Sequence, residues 1–141
     1  MFDVYIAGEL SGSTTPDERK KFYEDIAEVC KDCGLSAYLP HHHTDPIKHA
    51  HISPQEVYKK DYDMISNAKL IIAYVGRPSL GVGTELEIAR NNNTGIILIF
   101  HKDDRVSRMA RGNPGVKKII QYESEEDALR KLRKYLQKYT Q

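Results

Sequence analysis

The chain has 141 residues and a net charge of +1 at pH 7, from 21 basic and 20 acidic side chains. This length suits one hydrophobic core, so we expect a single domain over residues 1–141. The balanced charge argues against a nucleic-acid partner, and no apolar run approaches the roughly 20 residues that span a membrane. The N-terminus lacks the basic start and long apolar segment of a signal peptide, so we expect a cytoplasmic protein.

The predicted elements alternate between strands and helices. Apolar runs predict strands at residues 4–7, 35–39, 70–75, 96–100 and 118–122, and periodic segments predict helices at 16–33, 54–67, 83–92 and 124–138. This order predicts an α/β fold in which a five-stranded parallel sheet lies between two layers of helices. Cys30 and Cys33 fall at the end of the first helix. Without a second cysteine pair, we interpret them as structural or incidental.

A histidine-rich segment, residues 40–54, follows the second predicted strand. It holds three prolines, five of the six histidines and no periodicity. Loops of this length are usually functional or mobile. Its histidines could ligate a metal, but adjacent residues point in divergent directions and no helical His-x-x-x-His pair is present. We therefore favour a polar loop beside the substrate and expect no metal site.

The next helix carries an aspartate on its apolar face. Asp61 lies four residues after Val57 and four before Ile65, so all three share one side of the helix. A carboxylate on such a face is costly unless it is paired or used in chemistry. The alternative to a chemical role is a structural one, in which Asp61 caps a neighbouring loop.

A glycine-rich turn, residues 77–85, follows the third predicted strand. A strand, a turn and a helix start leave backbone N–H groups free to bind an anion. Ser79, the backbone at Gly81, and Ser107 from a later loop could hold a phosphate through hydrogen bonds. Glu85 is expected at the helix start, where the dipole would keep it ionised. An ordinary turn with a solvated glutamate is the alternative.

Ligands of parallel α/β sheets bind at the carboxyl ends of the strands. The loops after residues 7, 75 and 100 should therefore face one crevice, where Tyr5, Asp61 and Glu85 would converge. Two carboxylates can cleave a glycosidic bond, one acting at the anomeric carbon and the other on the leaving-group proton. These roles predict that the charged form is favoured at Glu85 and the neutral form at Asp61.

Four motifs are distinctive. They are Val-Tyr-Ile-Ala-Gly at 4–8, Lys-Asp-Tyr-Asp-Met-Ile-Ser-Asn-Ala at 60–68, Pro-Ser-Leu-Gly-Val-Gly-Thr-Glu-Leu at 78–86 and Val-Ser-Arg-Met-Ala-Arg-Gly at 106–112. Together they resemble the nucleoside 2-deoxyribosyltransferase superfamily, and within it the 2'-deoxynucleoside 5'-phosphate N-hydrolases. The transferase branch usually has Asp-x-Gly-Thr in place of Ser-Leu-Gly-Val-Gly, which favours the hydrolase branch.

The resemblance implies a flavodoxin-like (Rossmann-like) sheet, a homodimer and no cofactor. It also implies that Glu85 is the nucleophile of a covalent glycosyl-enzyme, that Asp61 assists at the base and sugar, and that Tyr5 positions the nucleophile. The residues expected at the substrate or its phosphate are Gly8, Ser11, Ser79, Gly81 and Ser107, the last reaching the neighbouring site of the dimer.

The chain departs from the hydrolase pattern in its first loop, where that branch has a serine and an arginine and this chain has Glu9 and Ser11. A glutamate repels phosphate, and Arg77, Arg108 or Arg111 could replace the missing arginine. The expected reaction is hydrolysis of a (deoxy)nucleoside 5'-monophosphate to free base and sugar phosphate. A base-exchanging transferase and a non-catalytic nucleotide-binding module are the alternatives.

Overall fold

The structure is a computed structural model that describes residues 1–10 and 15–141. Within them the strands are β1 (Val4–Ala7), β2 (Ala37–Tyr38), β3 (Leu70–Tyr74), β4 (Gly95–His101) and β5 (Val116–Tyr122). The helices are α1 (Pro16–Asp32), α2 (His41–Thr44), α3 (Pro54–Ser66), α4 (Leu80–Asn91), α5 (Arg108–Arg111) and α6 (Glu125–Tyr139). Among these helices, none has both the length and the apolar character needed to cross a membrane.

The strands form one sheet in the order β2-β1-β3-β4-β5, and every pair is parallel. This confirms the predicted α/β fold with a five-stranded parallel sheet. The order reverses between β1 and β3, because β2 lies on one side of β1 and all later strands lie on the other. In such sheets the connections at the reversal diverge to opposite faces and leave a crevice at the carboxyl ends of the strands.

Alternate residues of β1 pack on opposite faces of the sheet. Val4 and Ile6 join the core formed with α1 and α6. Tyr5 and Ala7 join the core formed with α3 and α4. Side chains alternate along a strand, so this register directs Tyr5 toward the helical layer that carries both carboxylates of the expected site.

Local chemistry sets where α3 begins and α1 ends. The Ser53 hydroxyl accepts a hydrogen bond from the Glu56 amide (3.2 Å) and donates one to the Glu56 carboxylate (3.0 Å). This reciprocal pair fixes the start of α3 and so the rotation at which its inner face meets the sheet. Gly34, at φ 81°, follows α1 and turns the chain back toward β2 in a conformation that glycine adopts without strain.

Helix α4 begins at Leu80, three residues earlier than predicted. The Ser79 hydroxyl accepts a hydrogen bond from the Val82 amide (3.2 Å) and caps the helix, so the glycines of the turn lie inside its first turn. Strand β2 is shorter than predicted and pairs only with β1, at the edge of the sheet. The segments 40–54 and 101–116, predicted as loops, each contain one short helix.

Candidate active site

A cavity of about 560 Å³ opens at the carboxyl end of β1 and contains both predicted carboxylates, Asp61 and Glu85. Its walls come from the residues after β1, from segment 40–54, from α3 and from the first turns of α4. This volume lies in the usual range for small-molecule sites. The loop after β4 was expected to face the same crevice. That loop lines a neighbouring cavity, which shares Ser79 and Val82 with this one.

Tyr5 connects the two carboxylates. Its buried hydroxyl donates a hydrogen bond to Oε2 of Glu85. The same hydroxyl also lowers the pKa of Asp61, and because a phenol has one proton it donates to one of the two carboxylates at a time. The structure therefore brings together the three side chains that the sequence placed in one crevice, one from β1, one from α3 and one from α4.

Burial makes both carboxylates harder to ionise. It raises the pKa of Glu85 to about 8, helped by the negative charge of Asp61 and opposed by the hydrogen bond from Tyr5. It also raises the pKa of Asp61 to about 6, against the hydrogen bond from Tyr5 and the charge of Lys60. The predicted direction is confirmed for Asp61. It is wrong for Glu85, which lies in the second turn of α4, where desolvation outweighs the helix dipole.

Tyr38 on β2 is a residue near this site that the sequence reading missed. Its ring stacks on that of Tyr5 with a centroid distance of 5.6 Å, and its buried hydroxyl has no hydrogen-bond partner among the described residues. Burial, together with the charge of Asp61, raises the pKa of Tyr38 to about 12. Oδ1 of Asp61 is also buried without a hydrogen-bond partner within the described chain. Unpartnered buried polar atoms are costly, and since Asp61 lines the cavity, its free oxygen is suited to receiving a polar group of a ligand.

The N-terminus of α4 forms one end of the cavity. Ser79 and Gly81 both line it, in agreement with their predicted placement. The first amides of a helix have no intrahelical acceptor, and here the Ser79 hydroxyl satisfies only that of Val82. The remaining N–H groups and the positive end of the helix dipole make this end suitable for an anion.

The other predicted substrate contacts have different outcomes. Gly8 lines the cavity, and a side chain there would overlap the ring of Tyr23, so packing alone requires a glycine. Ser11 lies outside the described residues. Ser107 does not line the cavity that holds the carboxylates. It begins α5, where its hydroxyl accepts a hydrogen bond from the Ala110 amide (3.3 Å).

Ser107 instead lines a second cavity of about 1080 Å³, on the other side of Ser79. We call it the arginine cavity, because its lining includes Arg77, Arg105, Arg108 and Arg111. Two large apolar side chains in its lining, Leu80 and Met109, are 95% and 87% exposed. Apolar side chains this exposed beside a groove are typical of a surface that meets another protein.

The histidine-rich segment is ordered around a buried ion pair. Asp45 accepts hydrogen bonds from the amides of Ile47 (2.8 Å) and Lys48 (3.0 Å), and Nζ of Lys20 lies 2.5 Å from its other oxygen. Burial alone would raise the pKa of Asp45, but these hydrogen bonds outweigh it and hold the pKa well below its usual range. His49 accepts a hydrogen bond from the Asp45 amide (3.1 Å). The segment lines the cavity, as expected for a loop beside the substrate.

Within the described residues, three side chains near this segment are close enough to share a metal ion. They are Glu24 of α1 and His41 and His42 of α2, whose ligand atoms all lie within 4.8 Å of one another. The sequence analysis considered the histidines but not Glu24, because Glu24 lies 17 residues before His41 and belongs to no recognisable metal-binding motif. Burial lowers the pKa of His41, against the hydrogen bond to Glu24.

Known proteins resemble this chain over most of its length. A protein of Methanosarcina mazei, provisionally named 2'-deoxynucleoside 5'-phosphate N-hydrolase 1, is 26% identical over 132 residues, which is 92% of this chain and 80% of that protein. The solved structure of the CMP N-glycosidase BcmB from Clostridium botulinum has a TM-score of 0.72 at 26% identity, covering 94% of this chain and 98% of that chain.

A 2-deoxyribosyltransferase from Bacillus psychrosaccharolyticus shares the fold, with a TM-score of 0.64 at 16% identity over 88% of each chain. The family model described as nucleoside 2-deoxyribosyltransferase matches residues 4–130, a range that includes Tyr5, Asp61 and Glu85. The chain belongs to the nucleoside 2-deoxyribosyltransferase family.

Proposed function

We propose that this protein is an N-glycosidase that hydrolyses a nucleoside 5'-monophosphate to the free base and (deoxy)ribose 5-phosphate. The observation that carries the proposal is the hydrogen bond from Tyr5 to Glu85 beside Asp61 in a single cavity. Two relatives support the substrate class, since one is named for hydrolysis of 2'-deoxynucleoside 5'-phosphates and the other for CMP.

In the first step a carboxylate oxygen of Glu85 attacks C1' of the sugar. The bond between C1' and the base nitrogen breaks, and its electron pair leaves with the base. The pKa values of about 8 for Glu85 and about 6 for Asp61 place the proton of the pair mainly on Glu85 in the free enzyme. The reacting form is therefore the one in which this proton has moved to Asp61, which then donates it to the departing base. Tyr5 holds the Glu85 carboxylate in place, and its hydrogen bond favours the charged form that the attack requires.

In the second step water hydrolyses the glycosyl-enzyme. The water oxygen attacks C1', the bond between C1' and the Glu85 oxygen breaks, and the Glu85 carboxylate is regenerated. Asp61, now ionised, accepts the proton that the water loses, so the pair returns to its starting state. One carboxyl group thus acts first as an acid and then as a base.

The substrate's phosphate is proposed to bind at the N-terminus of α4, on the amides near Ser79 and Gly81. Glu9 also lines the cavity, so the first loop offers an acidic rather than a basic neighbour there. Arg77 and Arg108, which could compensate, lie in the arginine cavity on the far side of Ser79. This arrangement favours a phosphate held mainly by backbone hydrogen bonds.

We also propose a homodimer that covers the arginine cavity and carries Ser107 of one protomer to the α4 N-terminus of the other. The exposure of Leu80 and Met109 supports this, because pairing would remove both side chains from water. Light scattering after size exclusion should show a dimer for the wild type and a monomer for Met109→Glu. Ile47→Glu, equally apolar, 77% exposed and outside that cavity, is the matched control.

The deciding experiment incubates the enzyme with ribo- and deoxyribonucleosides and their 5'-monophosphates, with and without an acceptor base. We expect release of base from a monophosphate, faster than from the matching nucleoside, and little exchange into the acceptor. Base exchange that outruns hydrolysis would replace the proposal with a transferase. Tight nucleotide binding without turnover, unchanged by Glu85→Ala, would replace it with a binding module.

A further inference from the structure

A cluster of ligand atoms lies where α1 meets the histidine-rich segment. Nε2 of His41 is 3.2 Å from Oε2 of Glu24, and the ring of His42 is edge-on to that of His41 with a centroid distance of 4.6 Å. One ligand atom from each of the three side chains fits within a span of 4.8 Å. We expected adjacent histidines to point in divergent directions, but in the short helix α2 both His41 and His42 present a ligand atom to Glu24.

These distances suit a tetrahedral metal centre. Nitrogen and oxygen ligands lie about 2.0–2.1 Å from zinc, which places any two of them roughly 3.3 Å apart at tetrahedral angles. The separation of 3.2 Å between His41 and Glu24 already meets that value. Only His42, whose side chain is exposed, needs a small rotation to complete a set of three ligands.

The surroundings are also compatible with an ion. The Glu24 side chain is 46% exposed while that of His41 is 6% exposed, so one edge of the cluster is anchored and the other is open to water. Lys20, one helical turn before Glu24 on α1, is paired with Asp45 at 2.5 Å, which neutralises a charge that would otherwise repel a cation. An open side leaves the fourth position for a water molecule.

We propose that Glu24, His41 and His42 bind one divalent late-transition-metal ion of the zinc class. Two imidazoles and a carboxylate are ligands that this class prefers, whereas magnesium and calcium prefer oxygen ligands alone. The ion would join α1 to the histidine-rich segment, which forms one wall of the active-site cavity. Its ligands are far in sequence from Asp61 and Glu85. His41 also lines the active-site cavity, but none of the three ligands has a role in the proposed reaction, so the site can be tested independently of it.

The test is isothermal titration calorimetry of zinc chloride into protein that carries no histidine tag and has been stripped with a chelator. We expect one ion per chain with low-micromolar affinity or better. His42→Ala and Glu24→Gln should each weaken binding at least about 10-fold, since even an outer partner of a ligand is often worth that much. His51→Ala, an exposed histidine of the same segment outside the cluster, should bind zinc like the wild type.

Cobalt provides an independent readout, because a tetrahedral Co²⁺ centre absorbs visible light far more strongly than an octahedral one. The wild type and His51→Ala should give this spectrum, and His42→Ala should not. Circular dichroism checks that each variant is folded, and the exposure of His42 makes its loss tolerable. Absence of zinc binding by the wild type, or equal weakening by His42→Ala and His51→Ala, would overturn the site whether or not the enzyme hydrolyses nucleotides.

Discussion

Asp45 and Glu85 line the same cavity, yet their surroundings shift their pKa values in opposite directions. The Asp45 side chain is covered from solvent, with only 2% exposure. It accepts hydrogen bonds from two backbone amides and pairs with Lys20, and these contacts hold its pKa below the usual range. Among residues 1–10 and 15–141, Glu85 receives a hydrogen bond from Tyr5, and the neighbouring charge of Asp61 works against its ionisation.

The difference shows that burial alone does not identify a reactive carboxylate. A carboxylate that is held by backbone amides and an ammonium group has its charge compensated by the protein, and it serves to fix a loop. One that is desolvated but sparsely bonded keeps its oxygens available and carries a perturbed pKa, which is typical of functional sites. This comparison supports the proposed chemical role of Glu85 and leads us to propose a structural role for Asp45.

The most direct test of the difference between Glu85 and Asp45 is to neutralise each carboxylate in turn. Glu85→Gln should lower the turnover number by roughly 1000-fold or more, because an amide cannot form the glycosyl ester. Steady-state assays measure this, and intact-mass spectrometry of acid-quenched wild type should show a sugar-phosphate adduct. Glu28→Gln, an exposed glutamate on α1, is the control. A Glu85→Gln enzyme with wild-type rates would remove the chemical role.

The pH dependence of the reaction should report the carboxylate pair as a unit. Apparent pKa values of about 6 and about 8 predict a bell-shaped profile of kcat/KM. Below the lower value both groups are protonated and the nucleophile is lost, and above the higher value both are ionised and the proton for the base is lost. Activity should fall about tenfold per pH unit outside these limits.

A substrate phosphate also titrates near pH 6, so the acidic limb needs a control. Asp61→Asn keeps the phosphate but removes one enzyme carboxyl, and its remaining activity should lose the bell shape. In this variant the pKa of Glu85 should also be lower, because the neighbouring negative charge of Asp61 is gone. An acidic limb that persists unchanged in Asp61→Asn would belong to the substrate rather than to the enzyme.

Much of this site follows from the sequence because regular structure carries its residues. Strand alternation places Tyr5, and helical spacing places Asp61. A parallel sheet then brings the carboxyl end of β1 close to the start of α4. The pKa of Glu85 was not predictable in the same way. This pKa depends on where α4 begins. The two glycines of the turn favour a later start, whereas Ser79 caps the helix so that it begins at Leu80 and Glu85 falls in its second turn.

Other features depend on contacts between segments that no local pattern encodes. The ion pair of Asp45 with Lys20 and the cluster of Glu24 with His41 both join α1 to the histidine-rich segment. That segment has no periodicity, so neither its path nor its partners could be derived from spacing. The stacking of Tyr38 behind Tyr5 likewise required the register of the edge strand β2.

The structural role of Asp45 predicts a loss of stability when its pair with Lys20 is broken. Asp45→Ala should lower the free energy of unfolding at pH 7 by about 2–3 kcal/mol, because a largely buried ammonium group loses its partner. Denaturant titration measures this. Asp103→Ala, an exposed aspartate after β4, should change stability little. An Asp45→Ala protein as stable as the wild type would contradict the assignment.

The smallest expected effect is on the pH dependence of folding stability, which should have opposite signs for Glu85 and Asp45. The pKa of Glu85 is raised above its ordinary value of 4.5, so the folded state loses stability as the pH rises from about 4.5 toward about 8. Glu85→Gln removes that penalty and should be more stable than the wild type at pH 9, on the order of 2 kcal/mol, with no difference near pH 4.

Asp45 should behave in the opposite way. Its pKa is lowered, so its contribution is present above its ordinary value of 3.8 and is lost as the pH falls below it. Thermal melts of the wild type, Glu85→Gln and Asp45→Asn at pH 2.5, 4, 7 and 9 should separate the two: Glu85→Gln diverges from the wild type only as the pH rises, whereas Asp45→Asn melts below the wild type from pH 4 upward and approaches it only below 3.8. If Glu85→Gln melts below the wild type at pH 9, then Glu85 stabilises the fold in its charged form, and the distinction drawn between these two carboxylates fails.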